Sequence, residues 1–264
     1  MHLDLSLVVQ HGADRVSVRS ARDQIIKIVI QIQRADYEGD RPALKRLHGE
    51  LAPFMENKDL ATRVQYWRGF AHWRRAINGF NDNTPLAELE EDLKQASDEF
   101  AEAAKKDPTF ADATIGELSC VGYLAFAIRL QDSASSRIQE LIAQSRQLRK
   151  DAEAAAPDNP RLLWVVGPIL WNIAPERGGG QTKAIEQYEK GLATIRNNKK
   201  PARDPLEPSW GEPELLMSLA WSKLNQATPD LNAAEQDADA ALKIVPYWHY
   251  VRDILAHQIQ AVRK

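Results

Sequence analysis

Cysteine and long apolar runs are both scarce in this sequence. Cys120 is the only cysteine among 264 residues, which excludes an intrachain disulfide. It lies in an apolar stretch, residues 118–123, and such a position predicts a buried thiol. The longest apolar runs, at residues 28–30 and 162–171, fall short of the ~20 residues that cross a bilayer. We therefore predict no membrane insertion.

An excess of one charge and a recognisable catalytic set are also missing. The chain carries 34 basic and 37 acidic residues, a formal net charge of −3, so there is no general attraction to nucleic acid. His249 and His257 are eight residues apart on one predicted helix, too far to share a zinc ion. No nucleophile is paired with a base. These observations predict no cofactor, no metal and no enzyme activity, with an all-helical hydrolase kept as the least favoured alternative.

What the sequence does contain is a repeated spacing of four residues, at steps of four, three and five, that ends on proline. Two full copies and a degraded one occur: Ala96, Phe100, Ala103, Pro108; Ala234, Ala238, Ala241, Pro246; and Ser145, Arg149, Ala152, Pro157. Steps of four and three place the first three residues on one helical stripe, and the proline follows where a helix ends. A repeated stripe of small residues predicts stacked helical hairpins, because one hairpin cannot bury its apolar face alone.

A second repeat lies in the helix that precedes each stripe. Residues 161–172 align without gaps on residues 214–225, with Gly167 opposite Ala220 and Asn as the last residue of each segment. The stretch around Gly69 fits the same template. In these features residues 59–246 resemble the tetratricopeptide repeat (TPR) family. Residues 163–192, with their Gly-Gly loop, are similar to uncharacterised bacterial TPR proteins. Pro108 and Pro157 are 49 residues apart, whereas the family's unit has about 34, so this repeat is lengthened.

The periodicity and the resemblance predict an all-α fold, a TPR-like α-α superhelical solenoid of about five helix pairs with a C-terminal capping helix. Helices are expected at residues 22–36, 41–55, 59–79, 86–106, 110–130, 134–156, 160–173, 181–196, 212–226, 231–245 and 247–262. Residues 21–264 form the predicted repeat domain. Residues 1–20 are predicted as a tail or a small hairpin, because leucines and valines alternate there with polar residues. Asp4 interrupts the apolar run, which argues against a signal peptide and leaves the compartment open.

The resemblance also implies a candidate binding surface, because the first helix of each TPR pair faces a concave groove. Arg63 corresponds to Arg161, Tyr66 to Trp164 and Trp73 to Trp171, and Asn172 and Asn225 end the aligned helices. On such a surface arginine would hold carboxylates or backbone carbonyls, and aromatic rings would hold apolar side chains. The competing interpretation is that these rings pack between helices, since large aromatic residues dominate cores. Partial exposure on the concave side would favour the groove; enclosed rings would favour packing.

Two functions of different class follow from the sequence. The first is a non-catalytic scaffold that binds a protein or peptide in its groove. The second is a structural or assembly subunit whose groove is filled by its own terminal segment or by another copy. In the latter case the protein forms a homo-oligomer. The sequence predicts a protein or peptide partner and identifies neither that partner nor the oligomeric state.

Overall fold

The computed structural model describes residues 5–198 and 204–263. Its helices are α1 Leu5–Glu38, α2 Arg41–Glu50, α3 Ala61–Asn81, α4 Leu86–Lys106, α5 Ala111–Gln131, α6 Arg137–Ala155, α7 Pro160–Trp171, α8 Gln181–Asn197, α9 Glu212–Asn225 and α10 Leu231–Ile244. A π-helical turn, Tyr250–Leu255, continues into α11, Ala256–Arg263, and short 3₁₀ turns occupy Ala52–Phe54 and Pro175–Arg177. The described residues contain no strand, as an all-α fold requires.

The helices pack as five consecutive pairs, α1 with α2 through α9 with α10, and the π turn with α11 packs on α10. This confirms the predicted solenoid of five pairs with a capping helix. Helices α4, α6 and α10 each end two residues before the proline of the repeated spacing. The small-residue stripes lie at the helix crossings, where Ala96, Ala103 and Ala241 are wholly buried. Close approach of paired helices explains why these positions hold alanine.

Of the tail or small hairpin predicted for residues 1–20, the hairpin is not present in residues 5–20. The backbone of residues 5–20 belongs to α1, which begins at Leu5, and residues 1–4 lie outside the described residues. A two-stranded hairpin without a third strand is marginal in water, and no described strand is present to pair with it. A helix continuous with the packed part of α1 satisfies the same backbone groups within one segment.

Helix α5 is the most apolar long helix of the chain. By length and composition alone it would suffice to cross a membrane, which the sequence analysis did not anticipate. However, 56% of its apolar window is buried inside the protein. Cys120, at its centre, is wholly enclosed, as predicted. Such burial is typical of the core helix of a globular domain.

The two ends of the solenoid touch each other. The ring of Tyr37, near the end of α1, meets the ring of Trp248 edge-on, with 5.1 Å between the centroids. The guanidinium of Arg34 lies 5.1 Å from the ring centroid of Tyr247. The hydroxyl of Tyr37 also donates a 2.7 Å hydrogen bond to Glu214 at the start of α9. The first pair therefore packs against the last repeats and encloses the concave surface.

Candidate functional site

The concave groove, the surface formed by the first helix of each pair, holds a segment of the chain itself. Residues 204–211, here called the groove segment, connect the end of α8 to α9. Leu206, Pro208 and Trp210 are buried, whereas Pro205 and Ser209 between and beside them are exposed. The segment begins with a turn: the N–H of Glu207 donates to the carbonyl oxygen of Asp204, and the N–H of Leu206 to Asp204 Oδ1, both at 2.9 Å. The groove is thus occupied by a segment of the same molecule.

Trp210 is the main anchor of the groove segment, with 5% of its surface exposed. Its ring centroid lies 5.4 Å from that of Trp73, 5.5 Å from that of Trp164 and 6.0 Å from that of Phe70. Its Nε1 donates a 2.9 Å hydrogen bond to the hydroxyl of Tyr66. Tilted and edge-on contacts at these distances are the favourable arrangement of aromatic rings. First helices α3 and α7 therefore form an aromatic cage around this indole.

The backbone of the groove segment is also bound. Trp67 Nε1 donates a 2.8 Å hydrogen bond to the carbonyl oxygen of Leu206. Arg161 Nη1 donates a longer one, 3.3 Å, to the carbonyl oxygen of Trp210. These bonds satisfy carbonyl groups that burial removes from water, which would otherwise cost about 1–3 kcal/mol each. Indole and guanidinium donors thus bind the backbone of the groove segment at Leu206 and Trp210.

The acidic side chains of the groove segment meet basic residues at the rim. Arg63 Nε donates to Glu207 Oε1 at 2.7 Å, and Arg22 Nη2 lies 2.5 Å from Asp204 Oδ1. Hydrogen bonding to Arg22 is the main reason why the pKa of Asp204 is lowered. Because all four side chains are partly exposed, these ion pairs contribute little to the stability of the fold.

The segment ends in a buried polar cluster at the start of α9. Gly211, whose φ of +136° favours glycine, turns the chain into the helix. Its N–H donates at 2.7 Å to Glu214, which also accepts from Tyr37. Burial raises the pKa of Glu214 and of Asp36, and the charge of Arg74, whose Nε lies 2.8 Å from Asp36, opposes both shifts. Both carboxyl groups are thus held by structural partners: Gly211 and Tyr37 for Glu214, and Arg74 for Asp36.

The structure brings five of the predicted site residues together, although not as an open surface. Arg63, Tyr66, Trp73, Arg161 and Trp164 all surround the groove segment. Tyr66 and Trp73 are wholly enclosed, and Trp164 and Arg161 are 5% and 6% exposed. Of these five, half-buried Arg63 alone has the partial exposure that a partner-binding groove requires, and the enclosed rings are those of the packing interpretation. The physical reason is that the chain's own segment takes the place that the groove interpretation assigned to a partner.

Arg161 has a further structural task. Its Nε and Nη2 bind both oxygens of Asp112 on α5, at 2.5 and 2.8 Å. Asn159 also donates to Asp112, at 3.0 Å. A bidentate pair of this kind fixes the guanidinium plane and aims the remaining nitrogen at the groove segment. Arg161 is therefore a positioned donor rather than a free surface charge.

The remaining predicted residues lie at the other ends of α7 and α9. Trp171 packs edge-on against Trp221, with 5.1 Å between ring centroids, and both rings are half-buried. Asn172 donates to the carbonyl oxygen of Pro168, and Asn225 to that of Trp221, each at 2.8 Å. Both amides thus bond to a carbonyl of their own helix four residues back.

Sequence reasoning missed the occupant of the groove. Trp67 and Phe70 were not among the predicted site residues, and Leu206 and Trp210 were not considered. The signal was present: apolar residues alternate at positions 206, 208 and 210 within the connection 198–211, which is longer than the other links between helices. A long connection that carries apolar side chains at this spacing has surface to bury.

A second aromatic cluster lies on the surface, at the ends of α3 and α5. Phe80 packs against Tyr123 and Phe126, each with 5.7 Å between ring centroids. Phe126 and Leu130 are 49% and 56% exposed. We call Phe80, Tyr123, Phe126 and Leu130 the α3–α5 patch. Within the described residues, no three His, Cys, Asp or Glu side chains are grouped so that they could hold a metal ion.

Comparison with known proteins yields structural similarity alone. No protein-family model matches the chain, and no curated protein sequence matches it. The HusA haemophore from Porphyromonas gingivalis is 18% identical over 77% of this chain and 94% of its own, with a TM-score of 0.56. A thermophilic TPR protein from Thermus thermophilus is 16% identical over 83% and 99%, with a TM-score of 0.47. At 18% identity the property shared with the haemophore is the helical fold.

Proposed function

We propose that this protein is a non-catalytic helical-repeat scaffold that acts as an assembly subunit. The observation that supports the proposal is the groove segment, which fills the concave surface where a TPR-like solenoid would take a partner. The buried carboxyl groups Asp36 and Glu214 have structural partners, which fits a role without catalysis. Interaction then depends on the outer surface. The partner we propose is another copy of this chain.

The α3–α5 patch is the surface on which we place this contact. Scattered exposed apolar residues are ordinary, but clustered aromatic residues mark interaction sites. Phe126 and Leu130 lie one turn apart on α5, so their side chains share one face, and Phe80 and Tyr123 extend that face. Burial of such rings supplies most of the energy of typical interfaces.

Sedimentation velocity tests the proposal. Wild-type protein should associate as its concentration rises through the micromolar range. The double variant Phe126→Ser with Leu130→Ser should need at least a tenfold higher concentration to associate. Ile244→Ser on α10 is the matched control, because Ile244 is 47% exposed and lies outside the patch. Wild-type protein that stays monomeric throughout, or association that the control weakens equally, would refute the proposal.

A haem titration on the same preparations addresses small-molecule cargo. The similar solved structure is described as a haemophore, and at 18% identity the likeness concerns the fold. We expect no saturable change in the haem absorption spectrum. A one-to-one complex of micromolar affinity would replace the assembly proposal by that of a ligand carrier.

A further inference from the structure

We propose that the contact between the first pair and the last repeats is a proton-linked latch, in which the closed solenoid holds a proton that an opened solenoid releases. Two buried carboxyl groups share this proton, Asp36 on α1 and Glu214 on α9. Together with Tyr37 on α1 and Arg74 on α3 they form what we call the closure cluster. The latch makes closure of the solenoid sensitive to pH, which goes beyond the assembly role.

The two carboxyl groups lie on opposite sides of the closure. Asp36 directly precedes Tyr37, whose ring meets Trp248 and whose hydroxyl donates to Glu214 at 2.7 Å. Asp36 is 2% exposed and Glu214 is 0% exposed. Separation of α1 from α9 breaks the Tyr37 hydrogen bond and admits water to the carboxyl groups. Ionisation of the pair and closure of the solenoid are therefore linked.

The closure cluster sets one positive charge against two carboxyl groups. Arg74 Nε lies 2.8 Å from Asp36 Oδ1. The described partners of Glu214 are two neutral donors, the hydroxyl of Tyr37 and the N–H of Gly211. If both carboxyl groups were ionised, one negative charge would be buried without a charged partner, which is strongly unfavourable. A carboxyl group in such a place takes up a proton instead.

The other titratable groups around the cluster do not supply a second positive charge. Arg161 on α7 also lies near Glu214, but both oxygens of Asp112 bind its guanidinium. Burial raises the pKa of the Tyr37 hydroxyl well above its usual range, and burial also raises the pKa of Tyr123 on α5. Both tyrosines therefore stay neutral. The excess negative charge can be removed only by a proton.

The direction of the pH effect follows from the two carboxyl groups. Burial raises the pKa of both, and the charge of Arg74 offsets the rise only in part. Because the groups interact, they titrate as a pair, and Glu214, which has no described guanidinium contact, is the preferred holder of the proton. The Tyr37 hydroxyl can donate to a carboxylate or accept from a carboxylic acid, so its bond survives protonation.

The closed form therefore retains its proton to a higher pH than the opened form. Its stabilisation is complete below the ordinary Glu214 pKa of 4.5 and is lost as pH rises through the raised pKa of the pair. Release of one proton changes the ratio of open to closed molecules by at most about tenfold per pH unit.

Amide hydrogen exchange in the C-terminal half of α1, compared between variants at the same pH, tests the proposal. Comparison at one pH removes the effects of all other titrating groups. Glu214→Gln is neutral at every pH and resembles the protonated form, so the ratio of its protection to that of the wild type should rise with pH, by up to about tenfold per unit. A ratio that stays constant in a variant that remains helical would overturn the proposal.

Glu117→Gln is the matched control. Burial also raises the pKa of Glu117, but this residue lies on α5, where its neighbours Asp98 and Gln144 belong to α4 and α6 rather than to the closure. Its protection ratio to the wild type should stay constant with pH. A ratio that rises as in Glu214→Gln would mean that the effect does not come from the closure cluster.

If Glu214→Gln fails to fold or to close, the wild type decides through the ¹³C spectrum of its carboxyl groups. With Asp36 and Glu214 assigned by triple-resonance NMR, one of the two should keep the chemical shift of a protonated acid at a pH at which the exposed carboxyl groups are ionised. Ionisation of both at that pH would refute the proposal. Sedimentation reports self-association separately, so failure of either proposal leaves the other intact.

Discussion

Gly167 shows how one residue sets the distance between two helices. A Cβ atom at this position of α7 would overlap the ring of Tyr188 on α8. The Tyr188 ring is buried, and burial raises the pKa of its hydroxyl above the usual range. Because the ring is enclosed, it has little room to withdraw. Glycine is therefore required here by close approach and not by its backbone freedom.

Gly167→Ala should lower the free energy of unfolding by about 1–3 kcal/mol, the usual cost of overpacking. Gly122→Ala is the matched control, since a Cβ there meets no atom within 4 Å and alanine favours a helix interior. The control should leave stability unchanged or raise it by up to about 1 kcal/mol. Chemical denaturation measures both. Equal stability of the two variants would mean that α7 and α8 are not packed as described.

The pair Arg63 and Arg161 shows what the sequence could predict about single residues. Their equivalence in the repeat was visible, and both do contact the groove segment. Their burial was not visible, because it depends on residues 204–211, more than forty positions away from either. A repeat pattern predicts where a residue lies within a helix pair. Whether its side chain is buried depends also on which other parts of the chain pack against it.

At the scale of elements, α2 is joined to α3 and α4 by a polar network that contains two histidines. The rings of His48 on α2 and His72 on α3 lie 4.1 Å apart. His48 Nε2 is 3.2 Å from Glu99 on α4, and Arg68 on α3 donates to the same carboxylate at 2.9 Å. Burial lowers the pKa of His48, with smaller contributions from His72 and Arg68, against the opposing effect of Glu99.

Acid should therefore weaken the docking of α2. Because the folded pKa of His48 lies below its ordinary value of 6.5, the unfolded chain takes up the proton first as pH falls. Stability is fully present above pH 6.5 and declines below it, by at most about 1.4 kcal/mol per pH unit. Denaturation at pH 7.5, 6.5 and 5.5 measures the slope. His48→Gln should flatten the slope, and exposed His257→Gln should not; an unchanged slope in His48→Gln would contradict this assignment.

Most elements could be predicted from sequence because their causes are local. Periodic apolar residues, small-residue stripes and prolines specify each helix within a few positions of its bounds, as α4 at Leu86–Lys106 illustrates. Two segments were not predicted. Residues 5–20 are helical because the packed part of α1 continues through them, and residues 204–211 are ordered by helices that lie far away in sequence.

For the whole molecule, contact between the first and last repeats turns an open solenoid into a closed one. Trp248, 3% exposed, takes part in that contact through the ring of Tyr37. Gly39 lies beside the ring of His249, where an added Cβ would come within 3.1 Å of it. In an open solenoid each repeat touches its neighbours alone, and the ends are independent of each other.

Trp248→Ala should cost about 3–5 kcal/mol, the range for truncating a buried tryptophan. It should also lower amide-exchange protection in the C-terminal half of α1. Ile244→Ala on α10 is the control: 47% of Ile244 is exposed, so its loss should cost less than Trp248→Ala and leave the protection of α1 nearly unchanged. If Trp248→Ala left the amide-exchange protection of α1 unchanged, the two ends of the solenoid would not be coupled.

The groove segment lies far along the chain from α3, so the two are synthesised at different times. Trp67 and its bound carbonyl at Leu206 are 139 residues apart. Translation at about 5–20 residues per second separates the two by on the order of ten seconds. For that interval the aromatic rings that α3 gives to the cage exist without their occupant, and the nascent chain exposes a surface that the finished protein buries.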